Sequence, residues 1–306
     1  NMEYVKGREF KYENTAITLG KFDGIHRGHQ ILLKKIISQK ANGLKSVMFT
    51  FSSHPQNLLQ HKKTELIYTL EEKRILLEQW GLDVLISYPF NKEVASMRAY
   101  DFVKDVLVGQ LGAKLIVVGQ NFHFGHKREG NTELLEKLSK EFDFKLEVID
   151  KLEYKGRRVS STFIKQLISE GNLEYANHLL GNPFTIVGKV LHGRKIGRTL
   201  GFPTLNIIPD EIKLLPPNGV YVSNTKINGK MYPGVTSIGQ NPTVGLTKEK
   251  RVETYLFDFE GDLYDQSIRV QILSRIRPEI KFDNIDLLKQ EIENDIKQGK
   301  AYFNLG

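Results

Sequence analysis

Two histidines stand three residues apart in the stretch Gly20-Lys21-Phe22-Asp23-Gly24-Ile25-His26-Arg27-Gly28-His29. Apolar runs at 16–19 and 31–33 flank it, so it reads as a glycine-rich connection from a first strand to a first helix. Glycine lets a backbone approach a ligand closely. A helix N-terminus offers unpaired N–H groups to phosphate. Imidazoles placed there can donate hydrogen bonds to a phosphoryl group and stabilise the charge that develops in flight. The competing reading is a glycine turn with surface histidines. A zinc centre is disfavoured, because no third ligand stands nearby. Ser160-Ser161-Thr162 with Lys165 offers hydroxyls and a cation at the start of a helical stretch, which suits phosphate or plain helix capping. Gly193, Gly197 and Gly201 punctuate a basic stretch that includes Arg198, read as a phosphate loop or a flexible barrel loop.

The elements that must position these residues change character along the chain. Up to about residue 180, strand-like runs at 16–19, 46–51, 84–87, 115–118 and 146–149 alternate with helical patterns at 30–39, 70–80, 100–111 and 132–141. Thr69 and Glu72 form a capping-box pair. This alternation predicts an open parallel α/β sheet of Rossmann type. Helical stretches at 162–169 and 173–180 follow. After Gly181-Asn182-Pro183 the texture turns to β, with strands at 184–191, 204–208, 220–227, 231–238, 252–259 and 268–276. Asn228-Gly229 is a tight-hairpin signal. Short strands with regular turns predict a β-barrel, closed by a helix at 285–302 capped by Asp283. The boundary near Asn182 gives two domains, 1–182 and 183–306.

Composition sets the outer limits. The chain has 306 residues, 40% hydrophobic and 26% charged, an ordinary globular balance that favours two domains. No cysteine is present, which excludes disulfides and thiolate chemistry and fits the cytoplasm. No apolar run is long enough to span a membrane. The net charge of +8 suits phosphorylated small molecules, and with no long Lys/Arg block nucleic acid is not expected as a partner.

The stretch Gly20–His29 resembles the signature of the H-x-G-H nucleotidyltransferases, in the version of the bacterial bifunctional riboflavin kinase/FMN adenylyltransferases, or FAD synthetases. Thr50-Phe51-Ser52-Ser53-His54-Pro55, residues 117–130 and Ser160–Lys165 are similar to further segments of that family. Residues 188–207 resemble its kinase phosphate loop with the following P-T-A-N motif. Residues 218–221, 237–245 and 251–259 resemble other kinase segments. The resemblance covers almost the whole chain.

That resemblance implies two reactions, ATP-dependent phosphorylation of riboflavin to FMN and adenylyl transfer from a second ATP to FMN, giving FAD and pyrophosphate. It implies that Gly20, Phe22, Asp23, Gly24, His26, Gly28, His29, Ser160, Ser161, Thr162 and Lys165 bind ATP in the transferase. His54, Pro55, Asn121, Phe122 and Arg128 would lie on the flavin side. In the kinase it assigns Gly193, Gly197, Arg198, Gly201, Pro203, Thr204 and Asn206 to ATP and Glu253 to general base. Thr204 and Asn206 would hold Mg²⁺ with ATP, as neutral oxygen ligands can for a hard cation that gains others from phosphate and water. Asn121 and His123 depart from the family pattern, as does Lys165, which keeps charge but loses the bidentate fork of arginine. Two alternatives stay open: another H-x-G-H adenylyltransferase or RNA-acting enzyme, and a non-catalytic flavin-binding module.

Overall fold

The computed structural model describes residues 1–52, 64–191, 201–242 and 248–305. The chain divides into two compact units, Asn1–Lys63 with Lys73–Ser160, and Thr64–Glu72 with Ser161–Gly306.

The first unit is built on a six-stranded sheet of β1 (Glu3–Lys6), β2 (Thr15–Leu19), β3 (Lys45–Ser52), β4 (Val84–Pro89), β5 (Ala113–Gly119) and β6 (Lys145–Ile149). Every pairing is parallel, in the order β1-β4-β3-β2-β5-β6. Parallel strands need crossovers, and these are mostly helical: α1 (Arg27–Ser38), α2 (Leu70–Gln79), α3 (Lys92–Ser96), α4 (Ala99–Asp101, continuing as a π-type turn over Phe102–Gln110) and α5 (Thr132–Phe142). Alternation along the strands feeds two cores. Ile17, Leu19, Val47 and Phe49 pack toward Phe102, Val103 and Leu135 on one face. Ala16, Met48 and Leu85 pack toward Leu33, Ile36 and Leu77 on the other. A sheet covered on both faces is why its strands read as continuous apolar runs. The strand before the two histidines is therefore the second, not the first: β1 precedes it at the sheet edge, and its half-exposed residues gave no apolar signal. A small hairpin of β7 (Glu153–Tyr154) and β8 (Arg157–Arg158) follows the sheet, turning at Lys155 and Gly156, both with positive φ.

The second unit is a closed barrel of β9 (Phe184–Leu191), β10 (Leu205–Ile207), β11 (Gly219–Ile227), β12 (Lys230–Pro242), β13 (Lys248–Leu256) and β14 (Ser267–Pro278), ordered β10-β13-β12-β11-β14-β9. Asn228 and Gly229 both take positive φ, as the two-residue hairpin between β11 and β12 requires. Helices α6 (Ser161–Ser169) and α7 (Leu173–Leu180) belong to this unit. The Asn177 amide explains part of that: it donates to the Ile272 carbonyl at 2.9 Å and accepts from the Phe184 N–H at 2.7 Å. The spatial division thus falls at Ser160/Ser161, ahead of the change of texture at Asn182. The closing helix, α8 (Ile285–Tyr302), is capped by Asn284, whose Oδ1 accepts from the Leu287 N–H at 2.9 Å, and not by Asp283. One residue of register decides it, since a cap must reach the N–H three residues on.

Segment Thr64–Glu72 is stitched to the barrel by a buried cation. Lys213 is wholly buried, and its Nζ donates to Glu72 Oε2 at 2.7 Å, the Ile67 carbonyl at 2.7 Å and the Thr185 carbonyl at 2.6 Å. The other Glu72 oxygen accepts from the Val187 N–H at 2.9 Å. The predicted capping box forms as well: the Thr69 N–H donates to Glu72 and the Glu72 N–H to Thr69 Oγ1.

Candidate active sites

Sheet order places the first site. From β2 the chain runs outward through β3 and β4 on one side, and β5 and β6 lie on the other. The connection Gly20–His26 therefore leaves the carboxyl end of β2 at the switch point, where open α/β sheets hold ligands. Phe22, Gly24 and Ile25 all take positive φ there. That conformation is costly for bulky residues, and burial holds it: Phe22 and Ile25 sink into the core under α1 and α2.

The loop ends in the two imidazoles. His26 caps α1, its Nδ1 accepting from the His29 N–H at 3.4 Å. The rings stack at 3.7 Å between centroids, and Phe22 meets His29 edge-on at 5.0 Å. Gly28 suits this stack, since a Cβ there would crowd the His26 ring at 3.1 Å. Both imidazoles are neutral near pH 7. Burial, with the Arg158 guanidinium nearby, lowers His26 to about 4. Burial, then His26 and the Lys73 ammonium, drives His29 well below the ordinary range. An Nδ1 that accepts leaves the His26 proton on Nε2, where it can donate outward. Among the described residues His29 Nδ1 is buried with no hydrogen-bond partner, which leaves it able to meet a ligand or water. The first turn of α1 holds no acidic side chain to compete with an anion. Arg158 and Lys73, which sequence reasoning missed, thus add positive charge near the pair. Arg158 stands in the basic hairpin next to Ser160-Ser161, a signal that was readable; Lys73 gave none.

Other expected residues fall as follows. Asp23 is half-buried in the same loop. Ser160 ends the first unit, and α6 opens on Ser161 and Thr162 in the second. Lys165 Nζ donates to the Glu65 carbonyl at 2.6 Å. Asn121, Phe122 and Arg128 lie between β5 and α5, where Phe122 stacks on Phe124 at 5.5 Å and Arg128 takes positive φ. His54, Pro55, Gly193, Gly197 and Arg198 lie outside the described residues.

In the barrel, the register brings Asn206 of β10 directly opposite Glu253 of β13. Alternation buries Val252, Thr254 and Leu256 inside and leaves Glu253 and Tyr255 half-buried on the other face. Directly opposed residues carry Cβ atoms about 5 Å apart, so the amide and the carboxylate are neighbours. Pro203, Thr204 and Asn206 line a cavity of about 880 Å³, with Tyr255 and the turn Asp258–Tyr264 as further walls. Gly201 enters this stretch with a left-handed φ of 87°. Thr204 and Asn206 offer only neutral oxygens, and no cluster of three or more His, Asp or Glu side chains fit for a metal exists among the described residues. Such a donor set suits a hard cation that brings phosphate and water ligands with it.

Fold and sites define the class: a parallel-sheet unit of the nucleotide-binding type, followed by a six-stranded barrel. The FAD synthetase family matches residues 9–163 and the riboflavin kinase family residues 180–303. Proteins named bifunctional riboflavin kinase/FMN adenylyltransferase from Buchnera aphidicola subsp. Schizaphis graminum and Haemophilus influenzae are 38% and 37% identical to it, each over 95% of this chain and 95% of its own length. A crystal structure from Streptococcus pneumoniae, described as a macrolide-efflux protein, matches with a TM-score of 0.84 at 30% identity, over 96% of this chain and 97% of its own. The chain belongs to the bifunctional riboflavin kinase/FMN adenylyltransferase family. Among the described residues no helix is long and apolar enough to cross a membrane.

Proposed function

We propose that this chain makes both flavin cofactors at two separate sites, phosphorylating riboflavin within residues 183–306 and adenylylating FMN within residues 1–182. The observation that carries the reading is the separation itself. The stacked histidines lie in one unit and the Asn206–Glu253 pair in the other, each inside the residues matched by the corresponding family.

In the kinase, the nucleophile is a neutral 5′-hydroxyl. Glu253 takes its proton as the oxygen attacks the γ-phosphoryl of ATP, and the β–γ bridging P–O bond breaks with its electron pair leaving on ADP. Thr204 and Asn206 would hold Mg²⁺, which when bound neutralises phosphate charge. Gly201 and Pro203 continue the phosphate loop, with Gly193, Gly197 and Arg198 assigned to the same loop. In the transferase, the FMN phosphate is already anionic and needs no base. His26 donates from Nε2, and His29 supplies a second N–H, to the α-phosphoryl as charge builds there. Gly20, Gly24 and Gly28 keep side chains out of the nucleotide's path, and Asn121, Phe122 and Arg128 face the flavin. A cytoplasmic setting supplies ATP and costs a cysteine-free chain nothing.

Incubation with riboflavin and Mg-ATP, followed by chromatographic separation of flavins, tests this. FMN should appear first and FAD after it. FMN alone at saturating ATP would refute the transferase half, and no flavin product would refute both halves.

A further inference from the structure

The two imidazoles are neutral, yet the substrate they face carries a polyphosphate. The site must draw its positive charge from elsewhere. The leaving group sharpens that need. An FMN phosphate oxygen forms a bond to the α-phosphorus, and the α–β bridging P–O bond breaks with its electron pair departing on pyrophosphate. Negative charge therefore grows on the side away from the flavin.

Lys73 stands at the right place to meet it. It lies in the first half of α2, half-buried, and its Nζ donates to the Lys21 carbonyl at 3.3 Å. That carbonyl belongs to the second residue of the Gly20–His29 loop, so the ammonium is held at the loop's rim. Phe22, the next residue, is in edge contact with His29. The Lys73 ammonium is also near enough to His29 to oppose the protonation of its ring. Arg158 acts in the same way on His26. An ammonium has three N–H donors and binds phosphate as a point charge, with no need for fork geometry.

We propose that Lys73 is a pyrophosphate-binding residue of the adenylyl transfer site, receiving the β- and γ-phosphates of ATP at the rim of the Gly20–His29 loop. The inference rests on the transferase reading above but has its own measurement. The full chain, as wild type, Lys73→Gln and Lys73→Arg, is titrated with inorganic pyrophosphate by calorimetry, and initial rates of FMN formation from FAD are followed against pyrophosphate. A charge-assisted hydrogen bond of ordinary strength corresponds to roughly a ten- to hundred-fold change in affinity. Lys73→Gln should weaken pyrophosphate binding and raise its KM by about that factor, leaving the KM for FAD and riboflavin phosphorylation unchanged. Lys73→Arg should restore most of the loss. Wild-type affinity for pyrophosphate in Lys73→Gln overturns the proposal. So does an arginine variant as impaired as the glutamine one with a lowered melting temperature, because Lys73 would then only latch the loop to α2. Absence of FAD synthesis by the wild type would instead count against the transferase reading, and the binding titration still decides the role of Lys73.

Discussion

The sheet unit and the barrel unit bury their ionisable groups in opposite ways. At the switch point, His26 and His29 are packed ring on ring and lose their charge. In the barrel unit, Lys213 is wholly buried and its Nζ donates three hydrogen bonds, to Glu72 and two carbonyls. The candidate base, Glu253, is neither: it stays half-buried beside Asn206. A neutral imidazole is a donor that needs no counter-ion, fit for a nucleophile that is already an anion. A carboxylate still open to water can accept a proton from an alcohol. A fully paired buried charge serves to fasten one segment to another.

Breaking that last contrast should have the largest effect on the fold. Glu72→Ala leaves the buried Lys213 ammonium two carbonyls but not the Glu72 carboxylate, and removing one partner of a buried ion pair costs about 3–5 kcal/mol. Calorimetry should show the barrel melting earlier by a margin that Lys213→Met, which removes the stranded charge, does not match. At the sheet site, His26→Ala and His29→Ala should each cost roughly 2–4 kcal/mol of transition-state stabilisation in FAD formation. Gly28→Ala should mimic them without touching a donor, since its Cβ would crowd the His26 ring at 3.1 Å. Steady-state rates with FMN as substrate measure all three.

Acid provides a subtler test. The folded pKa of His26 lies near 4, below the ordinary value of 6.5. As pH falls below about 6.5 the unfolded chain takes up a proton that the folded chain refuses. The sheet unit should therefore lose stability progressively from pH 6.5 toward 4, with no contribution from His26 above that window. Trp80, the one tryptophan, packs against the core under α1 and reports on this unit. Urea unfolding followed by its fluorescence should give a flatter pH slope in His26→Gln. The smallest expected effect is at the closing helix. Asn284→Ala should cost about 0.5–2 kcal/mol and Asp283→Ala almost nothing, by thermal melting.

Local signals explain how far the sequence could be read. Strands β2 to β5 showed because both faces of the sheet are covered there. The turn at Asn228-Gly229 and the capping box at Thr69 and Glu72 are set by neighbours within three residues. β1 was missed because an edge strand with exposed residues has no apolar run, and α6 and α7 were placed by texture with the sheet although they pack with the barrel. Of the candidate sites, the residue types were legible but their states were not. Nothing in H-x-G-H says that the rings stack and are uncharged. Glu72 read only as a cap, for its partner Lys213 is 141 residues away. The pairing of Asn206 with Glu253 depends on barrel register, which no short stretch encodes.

Separate chemistries in separate units are the core of the proposed function, and a crossed assay distinguishes them from a single shared site. Glu253→Gln and the double variant His26→Ala/His29→Ala are each given riboflavin and, separately, FMN, with Mg-ATP in excess and the fold checked by thermal melting. Loss of a general base typically costs about a hundred- to ten-thousand-fold. Glu253→Gln should lose FMN formation by that order and still convert supplied FMN to FAD, while the histidine variant should make FMN at the wild-type rate and stop there. Equal loss of both activities in folded Glu253→Gln, or normal FAD synthesis without the histidines, would contradict the account.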